Sequence, residues 1–437
     1  MATTEYSTSR DAPDERSASS PHISVATIGV VASALLIYVS GSFLIAAIFG
    51  VKRELEVLLL IPVGLAAAYY LVSRPSRLVD PLICFAVVKL ITEVAFRGQL
   101  LYVLDSGAAV LALVVLVCVP AKSLNIGARL VVTLAGILAL MALVQWVMLT
   151  LDPHLSQYIL VFADEDGGTE NLVQHPIALL GITSEQRYSF LGQPLPLPRM
   201  QSFAKEPSLN VLFFMFPAAL AFLLNSRMTR MWGSTILVFC VLSLSGSVFL
   251  TLAFTGIWWL LLRVASIRFA IPHGMLLMMG VFLLAIARFG SDPLLDVFAD
   301  MAQYGDFLSK SSSVTSRTGS AVTNATAALV SPFGSATLAD LPGPMLVNAA
   351  LAAGWLGVLA LLWFFTRLGR YLEAFDSMSW PWSARRLGTL LLVGSVATVL
   401  VFNDYQMGNY AGLIQLAFIY RTIQLMNCVG TAVEAKP

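Results

Sequence analysis

The residues with chemistry to offer crowd into the polar stretches of an otherwise apolar chain. The densest group is Arg199-Met200-Gln201-Ser202-Phe203-Ala204-Lys205-Glu206-Pro207-Ser208, which closes a polar insert and runs straight into an apolar segment. Arg199 brings a planar, two-pronged donor and Lys205 a point charge, a combination suited to a phosphate or pyrophosphate. Glu206 is the carboxylate placed to take a proton from a sugar hydroxyl, which is general-base chemistry. The same three side chains would also make an interfacial ion pair with snorkelling cations, and both readings stand on residue types alone. His175 is a second candidate base, since an imidazole titrates near neutrality; a histidine hydrogen-bonded at the membrane surface is the plainer alternative. Arg317, in the hydroxyl-rich run 309–320, is either a second phosphate ligand or part of a surface loop. Asp404, in the polar turn 403–409, is either a third candidate base or a helix cap.

These residues need a scaffold, and composition says what kind. Of 437 residues, 58% are hydrophobic and 12% charged, with a mean hydropathy of +0.81. Such a chain cannot give a water-soluble domain a polar surface, so the expected fold is an all-α polytopic membrane protein. The four cysteines, Cys84, Cys118, Cys240 and Cys428, fall inside apolar runs without metal-ligand or disulfide spacing. We expect free thiols, no metal, no cofactor and no nucleic-acid partner. The run Asp164-Glu165-Asp166 is similar to the acidic pair that holds a metal and a nucleotide sugar in many glycosyltransferases. Nucleotide sugars are cytosolic, however, and an acidic run before Gly167-Gly168 is also an ordinary solvated turn.

A hydrocarbon core of about 30 Å takes roughly 20 apolar residues per helix. On that measure we expect twelve spans, near 25–49, 55–72, 79–96, 104–120, 128–151, 209–224, 232–245, 247–264, 271–288, 345–366, 387–403 and 410–427. The first is too long for a signal-peptide core and should remain as a helix. The third carries Lys89 and Glu93, four residues apart and able to pair along one helix face. Residues 1–22 and 431–437 read as polar tails flanking one membrane domain, 23–430, with long loops at 152–208 and 289–344.

One side carries Arg10, Arg16, Arg74, Arg77, Lys122, Arg129, Arg227, Arg230, Arg263, Arg268, Arg367, Arg370, Arg385, Arg386, Arg421 and Lys436, against Lys52, Arg53 and Arg97 in short loops on the other. The positive-inside rule then makes both termini cytoplasmic and both long loops external. Arg199, Glu206, Arg317 and Asp404 thus share the outer compartment. Within the first loop, 193–198 is proline-alternating and must be stiff and extended, delivering Arg199 to a defined place. Residues 172–182 are apolar enough to dip into the interface, and 206–208 open a helix. In the second loop, 292–308 shows the spacing of an amphipathic surface helix.

Arg199 with Glu206-Pro207-Ser208 before a helix, the serine-rich break 243–247, and Ser316-Arg317 in a second long loop form a layout that resembles the bacterial Wzy-type polysaccharide polymerases and the related O-antigen ligases. The chain departs from the usual pattern at Gly246, where relatives often carry arginine, and at Val347-Asn348, where ligases commonly carry a His-Asn pair. The resemblance implies a metal-independent glycosyltransferase of the bacterial inner membrane. Its donor would be an undecaprenyl-pyrophosphate-linked oligosaccharide in a surrounding of membrane lipid. A chain-length regulator and a flippase would be its partners, and an exopolysaccharide, capsule or O-antigen its product. The alternatives are an O-antigen ligase and a twelve-helix transporter or flippase of lipid-linked oligosaccharides. In a transporter, charged or unwound sites lie near the bilayer midplane, which singles out Lys89 and Glu93.

Overall fold

The computed structural model describes residues 24–41, 51–97, 100–151, 159–163, 169–173, 183–190, 193–200, 211–243, 246–261, 327–328, 330–335, 345–377, 383–401 and 410–434. Helices dominate them. They are α1 (Val25–Gly41), α2 (Lys52–Ser73), α3 (Pro81–Thr92), α4 (Leu100–Cys118), α5 (Ala121–Leu151) and α6 (Phe216–Leu224), then α7 (Arg227–Leu242), α8 (Gly246–Leu261), α9 (Met345–Ser377), α10 (Ala384–Val401) and α11 (Tyr410–Glu434). A helix stands in every expected span except 271–288, which lies outside the described residues, as does the amphipathic stretch 292–308.

Local chemistry explains several boundaries. The Asp80 carboxylate accepts from the Leu82 amide at 3.0 Å, and Pro81 holds the first helical position of α3, where its missing N–H costs nothing. Ser226 and Thr229 close a reciprocal cap on α7. Asn225 ends α6 in the left-handed region, at φ 53°.

Three described helices are long and apolar enough to cross a membrane, over Lys52–Ser73, Ala121–Met148 and Met345–Ala374. The pair α7 and α8 adds a fourth if it is counted as one span, and it bends by 118° at the serine-rich break. On α2, Val57, Leu58, Ile61 and Leu65 are more than half exposed while Val63, Ala66, Ala67 and Tyr70 are buried. An apolar helix with one face outward suits lipid, and the chain is a predominantly helical protein with helices able to span a membrane.

Lipid tails are as apolar as leucine, so small residues and hydroxyls bind such helices together. A Cβ on Gly388 of α10 would stand 2.8 Å from the Ala219 carbonyl oxygen of α6. Further along α10, Thr398 meets Thr251 of α8 at 2.9 Å between hydroxyls. The Tyr38 hydroxyl of α1 donates to the Val131 carbonyl of α5 at 2.6 Å.

One element departs from the all-α expectation. The insert after α5 contains a four-stranded antiparallel sheet in the order β1 (Ile159–Ala163), β2 (Thr169–Val173), β3 (Thr183–Phe190) and β4 (Gln193–Met200). Leu172 and Val173, at the start of the stretch expected to dip into the interface, belong to β2 and pair with strand partners. The prolines at 194, 196 and 198 hold β4 extended, as expected, and deny it ladder donors. A proline-rich strand is tolerated at a sheet edge, which is the position β4 occupies.

Candidate functional site

Arg199 is the sequence-selected residue that the structure describes. Its backbone pairs with Ser184 in the β3–β4 ladder, one residue before β4 ends at Met200, and β4 lies beside α5. Lys205, Glu206, His175, Arg317 and Asp404 lie outside the described residues.

Two groups of charged and polar residues stand at the helix ends on the side where α5 meets the sheet. The first joins α2, α4, α1 and α11. Arg53, in the first turn of α2, donates to Glu56 Oε2 at 2.7 Å and to Asp105 Oδ1 of α4 at 2.9 Å. Lys52 is the neighbouring cation, so two positive and two negative groups face one another here. Glu56 is buried and Arg53 half exposed. Tyr410, the first residue of α11, is buried beside Glu56 and Ser40.

The second group lies between α3 and α9 and is organised by a break in the latter. At Gly354 the chain adopts φ 63° and ψ −174°, so the helical hydrogen-bond ladder is interrupted. A turn of the chain, 331–335, fills the gap. The Ser335 amide donates to the Leu351 carbonyl at 2.8 Å, and the Trp355 amide donates to the Pro332 carbonyl at 3.0 Å. Backbone groups freed by the break therefore find partners, as they must at membrane depth. Gly334, at φ 95°, brings the turn so close that a Cβ there would be 2.7 Å from Leu351 O and 3.1 Å from Thr92 Cγ2. The turn is wedged between α9 and α3.

The face of α3 turned toward this wedge carries Phe85, Lys89 and Thr92 at helical spacing, with Phe85 against Gly357 of α9. Lys89, Thr92 and Glu93 are all buried, and so is Asn348, one turn before Leu351 on α9. Lys89, Glu93, Asn348 and Ser335 each have polar or electrostatic partners. A buried ammonium, a carboxylate, an amide and interrupted backbone can together hold a polar group that ordinary apolar helices would exclude. A π-helical turn, Glu93–Arg97, follows directly, a distortion frequent at functional sites.

Sequence reasoning treated Lys89 and Glu93 as a pair within one helix and did not single out Gly354 or the 331–335 turn. The signals were present: two ionisable residues in an apolar run, and Pro332 and Gly334 close together. Among the described residues, no three His, Cys, Asp or Glu side chains gather to hold a metal. Neither a protein-family model nor a curated protein matches the chain.

Proposed function

We propose that the chain is a polysaccharide polymerase of the Wzy type, with twelve spans, cytoplasmic termini and its reactive loops on the outer face of a bacterial inner membrane. The observation that supports this most directly is the position of Arg199. It stands near the end of a proline-stiffened edge strand that lies beside α5, with a backbone fixed in the ladder by Ser184. An arginine whose backbone is fixed in a strand beside α5 suits a donor whose pyrophosphate is tethered to a lipid.

In the proposed reaction a hydroxyl of the acceptor repeat unit attacks the anomeric carbon of the donor glycan. The new C–O bond forms as the bond to pyrophosphate breaks, and undecaprenyl pyrophosphate leaves with the electron pair. Arg199, aided by Lys205 and Arg317, stabilises the charge that develops on the leaving group. Glu206 takes the hydroxyl proton, with His175 and Asp404 as the alternative bases. A flippase would supply the donor and a chain-length regulator would set the product.

Glu206→Gln tests the proposal. The amide keeps a carbonyl acceptor but loses basicity, so polymer formation should fall by about a hundredfold or more. Single lipid-linked repeat units should then collect on the external leaflet, where added glycosidase reaches them in intact cells. Arg199→Lys should likewise lower polymer yield while the protein still accumulates in the membrane. Normal long polymer from Arg199→Ala would remove Arg199 from the mechanism.

A transporter of lipid-linked oligosaccharides is favoured by a different observation, the broken α9 with its wedged turn beside buried Lys89 and Glu93. Discontinuous helices near charged residues are how many transporters build a substrate site. Lys89→Met would then leave repeat units on the cytoplasmic leaflet, inaccessible until cells are opened. If Lys89→Met cells hold only external units, the transporter function is excluded.

A further inference from the structure

The opposite end of the bundle carries a cluster that neither proposed reaction uses. Arg74 follows the end of α2 and donates to the Cys118 carbonyl of α4 at 3.1 Å. Arg77 and Arg421 also lie within electrostatic reach of Cys118. Arg367 of α9 stacks over Trp363 at 5.5 Å and approaches Asp80 Oδ2 at 4.0 Å. Asp80 is the carboxylate among these four guanidinium groups, and its other oxygen is already occupied by the Leu82 amide.

Arg421 is the residue that demands an explanation. It is 6% exposed, and one of its terminal nitrogens, Nη1, donates to Gln424. Its Nε and Nη2 are buried with no hydrogen-bond partner. Gln424 is in turn held by the Tyr371 hydroxyl at 3.1 Å, so the side chain is anchored on one edge with the other edge unmet. Arginines at a cytoplasmic membrane edge need no more account than the positive-inside rule, and Arg74, Arg77 and Arg367 are open enough to reach water. Arg421 is not. A buried guanidinium with unmet donors, beside a like charge on Arg77, is costly unless something anionic completes it.

We propose that Arg421, Arg77, Arg74 and Arg367 form a binding site for a phosphate group, supplied either by an anionic phospholipid headgroup at the membrane surface or by a soluble phosphate. The unmet edge of Arg421, Nε and Nη2, would donate to two phosphate oxygens in the planar, two-pronged manner that lysine cannot copy. Exposed Arg77 forms the entrance, and Asp80 keeps Arg367 turned toward the cluster. The site lies at the far end of the helices from Arg199 and does not depend on the polymerase function.

The full chain is purified and its thermal unfolding followed in two settings. In the first it is reconstituted in phosphatidylcholine nanodiscs with or without phosphatidylglycerol; in the second it is held in neutral detergent and titrated with inorganic phosphate. Phosphatidylglycerol should raise the unfolding temperature if the ligand is a headgroup, and inorganic phosphate should do so if the ligand is soluble. Arg421→Gln and Arg77→Gln should each weaken the effective ligand by about tenfold or more. Arg77 is exposed, so its variant folds even where Arg421→Gln does not. Arg230→Gln removes an exposed charge elsewhere on the same membrane side and should keep the full shift. No shift with either ligand overturns the proposal. So does a shift that Arg77→Gln leaves intact, or one that Arg230→Gln diminishes equally.

Discussion

The two ends of the helix bundle solve the problem of charge at a membrane in opposite ways. At the end near the sheet, charges occur in balanced sets: Arg53 bridges Glu56 and Asp105, and buried Lys89 of α3 is followed four residues later by buried Glu93 at the start of the π turn. The backbone there is irregular, with a π turn after α3 and a break in α9 sealed by residues 331–335. At the other end α3 is capped by Asp80 and a short 3-10 turn, Pro75–Arg77, links it to α2, while Arg74, Arg77, Arg367 and Arg421 gather around Asp80. An end with paired charges and broken backbone has arranged its polar groups around one another. An end with surplus positive charge leaves buried donors unmet, as at Arg421 Nε and Nη2.

The largest effect should come from closing the broken backbone. Gly354→Ala puts a Cβ 2.7 Å from the Pro332 carbonyl oxygen at a positive φ that L-residues resist. We expect a loss of about 2–4 kcal/mol, read as a lower midpoint of thermal unfolding in detergent. An unchanged midpoint would mean that the wedge contributes nothing to holding α3 and α9 together.

Next in size is Asp80→Ala at the arginine-rich end. It removes the cap of α3 and the carboxylate facing Arg367, for an expected loss of about 1–3 kcal/mol in phosphate-free buffer. Added inorganic phosphate should recover part of that loss if the surplus charge is what destabilises.

A smaller change should follow from Asp105→Asn at the balanced end. Arg53 is half exposed and keeps Glu56 at 2.7 Å, so the loss should be about 0.2–1 kcal/mol and should shrink in high salt. If it equalled that of Asp80→Ala, the contrast between the two ends would fail.

Gly64→Ala serves as the reference. A Cβ at Gly64, within α2, meets nothing within 4 Å, so the change should be neutral or stabilise by about 0.5–1 kcal/mol. Destabilisation there would show that helix geometry, and not local packing, governs the glycines of this bundle.

Much of the helical layer was legible in advance because it depends on short-range facts. Apolar runs of span length, Asp80-Pro81 at a helix start and alternating prolines over 193–198 each act within a few residues. The sheet was missed because strand pairing joins distant segments, such as Ser184 with Arg199, and the intervening apolar stretch 172–182 resembled an interfacial dip. Gly354 was missed because glycine is ordinary in membrane helices, and its role appears only when Pro332 and Ser335 arrive against it. Of the chemistry-bearing residues chosen from sequence, Arg199 can be placed, at the end of the segment its prolines were expected to hold extended and which proves to be an edge strand, and the other five fall outside the described residues.

By itself the sequence determined that this chain makes apolar helices able to cross a membrane and gathers arginine and lysine in alternate short connections. Both follow from residue type and spacing, because transfer of side chains into lipid is nearly additive along a helix. Only the tertiary structure decided which charges are neutralised. Arg53 meets Asp105 across 52 positions and Gln424 meets Tyr371 across 53, while Arg421 is buried with two donors unmet. Pairing requires two side chains to share a few ångströms, and in a helical bundle that is settled by how helices pack.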